Sequence, residues 1–163
     1  MTIEDNNFIN WDEQLAFGIP VIDDQHKNLI RIINKLHLIC LRSSDTTTRS
    51  FIEGTKEAIY NLRFHFTIEE KLMVLLAFHE HDEHRREHGA FLKEAISLQR
   101  QIKDEQLYAP HEFVFFLKER LLNHIKTFDT VFADYILALE HHEKLKMILV
   151  REPQLSPVSV QPI

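Results

Sequence analysis

The feature that most restricts this chain is an absence. No proline occurs from Val21 to Ala109 or from His111 to Glu152, and the 163 residues hold only three glycines, Gly18, Gly54 and Gly89. A β protein of this size needs a turn about every 8–12 residues, and such turns draw on Gly, Pro and Asn. The long uninterrupted stretches are rich instead in Leu, Ile, Lys, Glu and Arg. That pattern points to an all-α fold.

Four amphipathic segments follow. The first runs from Pro20 to Leu41 and the second from Thr47 to Phe78. The third starts at His81 or Asp82 and ends at Lys103, and the fourth runs from Pro110 past Phe128 to about His142. Pro20 and Pro110 suit a first helical turn, where the missing N–H costs nothing. The stretch Ser43-Ser44-Asp45-Thr46-Thr47-Thr48 reads as a turn that also caps the second helix. Short connections make consecutive helices antiparallel neighbours. The predicted architecture is an up-down-up-down antiparallel four-helix bundle over residues 20–142, preceded by an N-terminal arm, 1–19, anchored by Phe8, Trp11 and Phe17. Residues 143–163 form a C-terminal extension with a proline-containing tail. Its apolar cluster, Leu145 and Met147 to Val150, is suited to docking on the bundle or to contact with a second copy or another protein.

Composition removes several function classes. A hydrophobic fraction of 44% with 27% charged residues describes an ordinary globular chain. The single cysteine, Cys40, excludes an internal disulfide framework. Nothing approaches the roughly 18 consecutive apolar residues of a membrane span. The start, MTIEDNNFIN, is acidic and polar, unlike a secretory signal, so cytoplasmic residence is expected. A net charge of −6 argues against a nucleic-acid partner.

The residues that carry chemistry interrupt the apolar stripes. The first stripe is Ile22, His26, Leu29, Ile33, Leu36, Cys40. The second is Ala58, Leu62, His65, Glu69, Leu72, Leu76, and the third is His84, His88, Phe91, Ala95, Leu98, Ile102. The fourth is Val114, Leu117, Leu121, His124, Phe128, Val131, Tyr135. This spacing puts each set on one helical face. A single inward histidine is usually satisfied by a carbonyl or a water. An inward glutamate is costlier, because a buried carboxylate needs a strong partner. No lysine or arginine shares these registers, so histidines from four helices converging with a carboxylate suggest a shared cation.

Spacing supports this for two helices. His65 and Glu69 are i, i+4, as are His84 and His88, and such pairs stack on one face. His124 and Asp129 are five apart. On a straight α-helix that separates them by roughly 140°. To share a target they need a wide pocket or a local π-type turn. Periodicity alone leaves Asp129 between a solvated position and an inward one. His81, in the run HEHDEHRREH, is an alternative ligand to its neighbours, whereas His37, His79, His111, His141 and His142 read as boundary or surface residues. The chain has no HExxH pair, no Glu-x-x-His motif, no glycine-rich phosphate loop and no CxxC. Cys40 lies in an apolar stripe and reads as core. Imidazole and carboxylate donors suit iron, zinc or manganese.

At this point the residues resemble a known family. Trp11 with Asp23-Asp24-Gln25-His26, then His65-Phe66-Thr67-Ile68-Glu69-Glu70, then His84 and His88, then Asn123-His124-Ile125 and Asp129 together resemble the bacterial hemerythrins. The resemblance spans Phe8 to Tyr135. It implies a four-helix bundle that binds O2 reversibly at a non-haem site of two Fe ions joined by an oxo or hydroxo bridge. His84, His88 and His124 are then ligands of one iron and His26 and His65 of the other, with Glu69 and Asp129 bridging. The resemblance thus selects His84 over His81 and turns Asp129 inward. It places Leu121 and Ile125 in the O2 pocket. The implied role is O2 carriage, storage or delivery rather than an enzyme activity. The alternatives are an O2- or redox-sensing regulator and, behind it, an oxidoreductase acting on O2, peroxide or NO. The chain departs from the family pattern at two places. Arg120 stands where tryptophan is usual, and is expected to face solvent with its stem over apolar surface. His79 stands in the turn where proline is usual.

Overall fold

The computed structural model describes residues 7–42, 49–103 and 109–139. The helices are α1 (Pro20–Arg42), α2 (Arg49–Leu75), α3 (His81–Lys103), α4 (Ala109–His124) and α5 (Thr130–Ala138). A five-residue π turn, Ile125–Asp129, joins α4 to α5 without a break, so the two form one long fourth element. Each helix packs on its neighbours in the order α1, α2, α3, α4 and back to α1. Cross-helix pairs run in opposite senses, as antiparallel packing requires. Asn28 donates to Asn61 and Lys35 pairs with Glu57. Gln99 donates to Thr55, while Phe66 stacks on His88. The fold is an all-α four-helix bundle. No described helix is long and apolar enough to cross a membrane.

The entry to α1 is held by a carboxylate that reaches backwards. Asp23 Oδ1 accepts from the Phe17 N–H at 2.8 Å and Oδ2 from the Gly18 N–H at 2.9 Å. Its negative charge also sits in the first turn, where the helix dipole favours it. Gly18 takes a left-handed conformation there, at φ +72°, which glycine adopts without steric cost. Further along, α1 and α2 come so close that a Cβ added to Gly54 would lie 2.7 Å from Leu36 Cδ2.

The second helix stops three residues before the predicted Phe78. Ala77 turns left-handed at φ +53°. The Phe78 N–H then bonds to the Met73 carbonyl at 2.9 Å and the Ala77 N–H to the Val74 carbonyl at 3.2 Å. This is a Schellman closure without its usual glycine, and so without the residue that marks it in a sequence.

The fourth stripe needs correction past His124. Phe128, Val131 and Tyr135 were expected inward, but Phe128 and Tyr135 are half-buried and Val131 is exposed. The buried positions are instead Ile125, Asp129, Phe132, Ala133 and Ile136. A π turn accommodates one extra residue, so every later side chain moves one place along the face. The Ile125 carbonyl accepts from the Thr130 N–H, five residues on, and from Thr130 Oγ1 at 2.8 Å.

Two apolar clusters fill the bundle. The larger includes Leu36, Phe51, Phe91, Phe113 and Leu117, and the smaller includes Ile22, Met73, Phe78, Phe132 and Ile136. The arm lies on the larger cluster. Its buried anchors are Ile9 and Leu15, with Phe8, Trp11 and Phe17 only partly buried beside them. Asn34 clamps Ile9 by accepting its N–H and donating to its carbonyl, each at 2.8 Å. The predicted turn at 43–48, the end of the fourth helix from residue 140 and the C-terminal extension, 143–163, lie outside the described residues.

Candidate metal centre

Between the two apolar clusters lies a polar layer made almost wholly of imidazole and carboxylate. His26, His65, Glu69, His84, His88, His124 and Asp129 are all buried, none more than 1% exposed. Two subsets have donor atoms within 4.8 Å of one another: Glu69, His84, His88, His124 and Asp129, and then His26, His65, Glu69 and Asp129. Both carboxylates belong to both subsets. Glu69 Oε2 lies 3.2 Å from His88 Nε2 and 3.5 Å from His65 Nε2. Asp129 Oδ1 lies 2.9 Å from His124 Nε2 and 3.1 Å from His84 Nε2, while Oδ2 lies 3.0 Å from His26 Nε2.

Each side chain reaches this layer for a local reason. The i, i+4 pairs on α2 and α3 point inward because the apolar residues on the same stripe do. Asp129 arrives through the π turn, which removes the 140° mismatch that a straight helix would impose. His81 stays outside the layer beside Asp82, with its Nδ1 3.4 Å from that carboxylate. His79 and His111 are exposed, and His37 is half-buried against Phe8, with ring centroids 4.0 Å apart.

Outer contacts fix the orientation of two imidazoles. His65 Nδ1 lies 2.9 Å from Gln25 Oε1, and His88 Nδ1 lies 2.9 Å from Glu70 Oε1. A carboxylate or amide oxygen only accepts, so each Nδ1 carries the proton and each Nε2 offers a lone pair inward. His88 is also stacked on Phe66 at 3.9 Å. Single-sequence patterning did not identify Gln25, Glu70, Asp23 or Glu87 as contributors. Each stands within three residues of a clustered residue, and that adjacency was the available signal.

Electrostatics favour unprotonated rings. Burial brings His65 down to about 4, aided by the neighbouring His26 and opposed by Asp129. Burial also lowers His84 and His88. The carboxylates diverge. Burial, then the charge of Asp129, pushes Glu69 well above the usual carboxylate range. Burial acts on Asp129 in the same sense, but His124, His26 and His65 outweigh it and hold Asp129 well below that range. Without a metal, Glu69 therefore keeps its proton where Asp129 does not.

The donor set fits a pair of cations. Both Glu69 oxygens and Asp129 Oδ2 are buried without a hydrogen bond, although imidazole nitrogens stand close by. Among the described residues, no lysine or arginine pairs with either carboxylate; their ionic neighbours are histidines. Buried carboxylates without such partners are costly, and cations shared between them relieve that cost.

The family model for the hemerythrin HHE cation binding domain matches residues 18–136, a span that contains all seven clustered residues. The chain belongs to the hemerythrin family. It is 29% identical over 120 residues to a hemerythrin-like protein of Naegleria gruberi, covering 74% of this chain and 87% of that one. A bacteriohemerythrin of Stenotrophomonas maltophilia is 28% identical over 128 residues, covering 78% of this chain and 81% of its own. The myohemerythrin of Theromyzon tessulatum is 27% identical over 119 residues, covering 73% and 86%. Within this hemerythrin domain Leu121 and Ile125 are both buried, at 0% and 1% exposure. Leu121 joins Leu29, Leu62 and Phe91, each three residues from a clustered histidine, in an apolar layer packed too tightly to admit a water. Arg120 differs from expectation. Instead of facing solvent it pairs with Glu87 on α3, Nη2 to Oε1 at 2.8 Å.

Proposed function

We propose that this hemerythrin binds O2 reversibly at a non-haem di-iron site. His84, His88 and His124 would hold one iron and His26 and His65 the other, with the Glu69 and Asp129 carboxylates shared between them. The observation that carries the reading is the inequality of the two donor sets. Both share the two carboxylates, but one adds three imidazoles and the other two. The second set is one protein ligand short and so leaves a position for an exogenous ligand. When bound, the two ferrous ions supply the two electrons on which reversible O2 binding draws.

The remaining work belongs to the protein. Gln25 and Glu70 hold His65 and His88 with their lone pairs inward. The layer of Leu29, Leu62, Phe91 and Leu121 keeps water from one side, and Ile22, Phe132 and Met73 belong to the apolar cluster on the other. Excluding water slows the proton-driven loss of the reduced state. Leu121 and Ile125 line the O2 pocket in this reading. The ionisable residues of the layer all serve as ligands, which suits binding and release rather than turnover.

The test is anaerobic loading with ferrous iron, followed by metal analysis and repeated oxygen cycles under a visible spectrophotometer. Two irons per chain and a charge-transfer band that comes and goes with O2 are expected. One iron or fewer per chain, or conversion to a ferric form in the first cycle, would overturn the proposal.

A further inference from the structure

Three of the five imidazoles have an outer nitrogen facing a side-chain oxygen. Gln25 serves His65 and Glu70 serves His88, each at 2.9 Å. The third case is looser. His124 Nδ1 lies 4.0 Å from Glu87 Oε1, and that oxygen in turn lies 2.8 Å from Arg120 Nη2. The ends of this line, His124 Nδ1 and Arg120 Nε, are buried and without a hydrogen-bond partner, and Glu87 Oε1 between them has the Arg120 ion pair but no aligned hydrogen bond. The side chains are 0%, 15% and 30% exposed, so the charges lie largely out of water. Arg120 is fixed further by Phe91, whose ring centre is 5.9 Å from Cζ.

We propose that Arg120 is a positioning residue. Its guanidinium holds the Glu87 carboxylate behind His124, so that Glu87 accepts a hydrogen bond from the Nδ1–H and the Nε2 lone pair is set toward the metal. The inference rests on His124 being a ligand. The fork geometry of arginine suits this task, because it engages a carboxylate through parallel N–H groups while leaving lone pairs on the oxygens free. An approach of about 1 Å by the carboxylate converts the 4.0 Å contact into a hydrogen bond. Such outer partners fix the ring tautomer, and losing one typically weakens metal binding about 10–100-fold. An apolar side chain at position 120 would leave Glu87 without its cation and His124 without a held acceptor.

The test uses the full chain loaded with Zn(II), which is diamagnetic and needs no oxygen chemistry. Zinc affinity is measured by chelator competition, and the His124 Nδ1–H is followed by nitrogen-15 NMR. Arg120→Leu and Glu87→Met, which removes the acceptor at similar volume, should each weaken binding about tenfold and speed exchange of the Nδ1–H. The double variant should be no weaker than either alone, because the two residues act as one unit. Arg120→Lys should recover part of the loss, since it keeps the charge. If Arg120→Leu does not fold, Glu87→Met and Arg120→Lys carry the comparison. Wild-type affinity with a protected Nδ1–H in Glu87→Met would overturn the proposal, as would losses that simply add in the double variant. His124→Ala separates the two readings: retention of both zinc ions at wild-type affinity in that variant would reject the ligand assignment itself.

Discussion

Replacing Glu69 with glutamine should make the metal-free protein more stable and the metal-loaded protein less so. Glu69 is fully buried, neither oxygen has a hydrogen-bond partner, and burial raises its pKa well above the ordinary value of 4.5. In the unfolded chain the carboxyl ionises near 4.5; in the folded, metal-free chain it keeps its proton. Folding at pH 7 therefore includes protonating this group. From 4.5 to 7 that costs at most about 3.4 kcal/mol, at roughly 1.36 kcal/mol per pH unit. Glutamine has nearly the same shape and needs no proton. In chelator at pH 7 the variant should therefore gain stability, by up to about 3 kcal/mol, and its Tm should rise accordingly. The gain should shrink as pH falls and vanish near 4.5, where the unfolded wild-type chain also becomes protonated. With ferrous iron or zinc in excess the order should reverse. Wild type then gains about 4.1 kcal/mol at a metal concentration one thousand times Kd, more than the variant's advantage, and the variant loses a bridging ligand. Scanning calorimetry at several pH values, with chelator and with metal, measures all of this. A variant less stable than wild type in chelator at pH 7, or one whose advantage persists unchanged at pH 4.5, would refute the reasoning.

The histidines set an opposite dependence. His65 falls from 6.5 to about 4 on folding, and His84 and His88 are also lowered. As pH drops below 6.5 the unfolded chain takes up protons that the folded one refuses. The metal-free protein should thus lose stability between pH 6.5 and about 4, by roughly 1.4 kcal/mol per unit for each such ring. Glu69→Gln should steepen that loss, because it removes a buried group acting in the other direction; urea melts across the range would show it. Elsewhere, Ala77→Gly should stabilise by about 0.5–1 kcal/mol, since Ala77 is left-handed at φ +53° and glycine is not strained there. An unchanged or lower urea midpoint would show that the turn carries no such strain.

The helices were legible because their signals are local. Pro20 opens α1 as expected, and the long glycine- and proline-poor runs became α1 to α4. The ends were less legible where closure uses an unmarked residue, as Ala77 does at the end of α2. Of the site, His65, Glu69, His84 and His88 could be grouped from i, i+4 spacing alone. Asp129 could not, because its position depends on backbone geometry rather than on side-chain pattern. The five-residue spacing from His124 did show that a straight helix would not serve. Arg120 was misread because a lone arginine on a helix edge usually faces water, and only the approach of α3 sets Glu87 beside it.

The π turn ties the site to packing some distance away. Phe132 and Ile136 are buried against the cluster that holds Phe78 and Met73 only because the extra residue has rotated α5. If Ile125–Asp129 relaxed to ordinary α-helix, Asp129 would swing out of the layer and both side chains would leave their cluster. At about 1.5–3 kcal/mol for each large apolar side chain, that relaxation forfeits roughly 3–6 kcal/mol. The carboxylate is thus held in place by grease a full turn or two downstream. For the same reason, deleting one residue between Ile125 and Asp129 would only close the π turn into α-helix, with Asp129 four residues from His124 and in phase, whereas inserting one there would be a more thorough way to dismantle the centre than replacing a ligand. It would preserve every donor in the sequence while throwing the end of the fourth helix out of phase with the rest of the bundle.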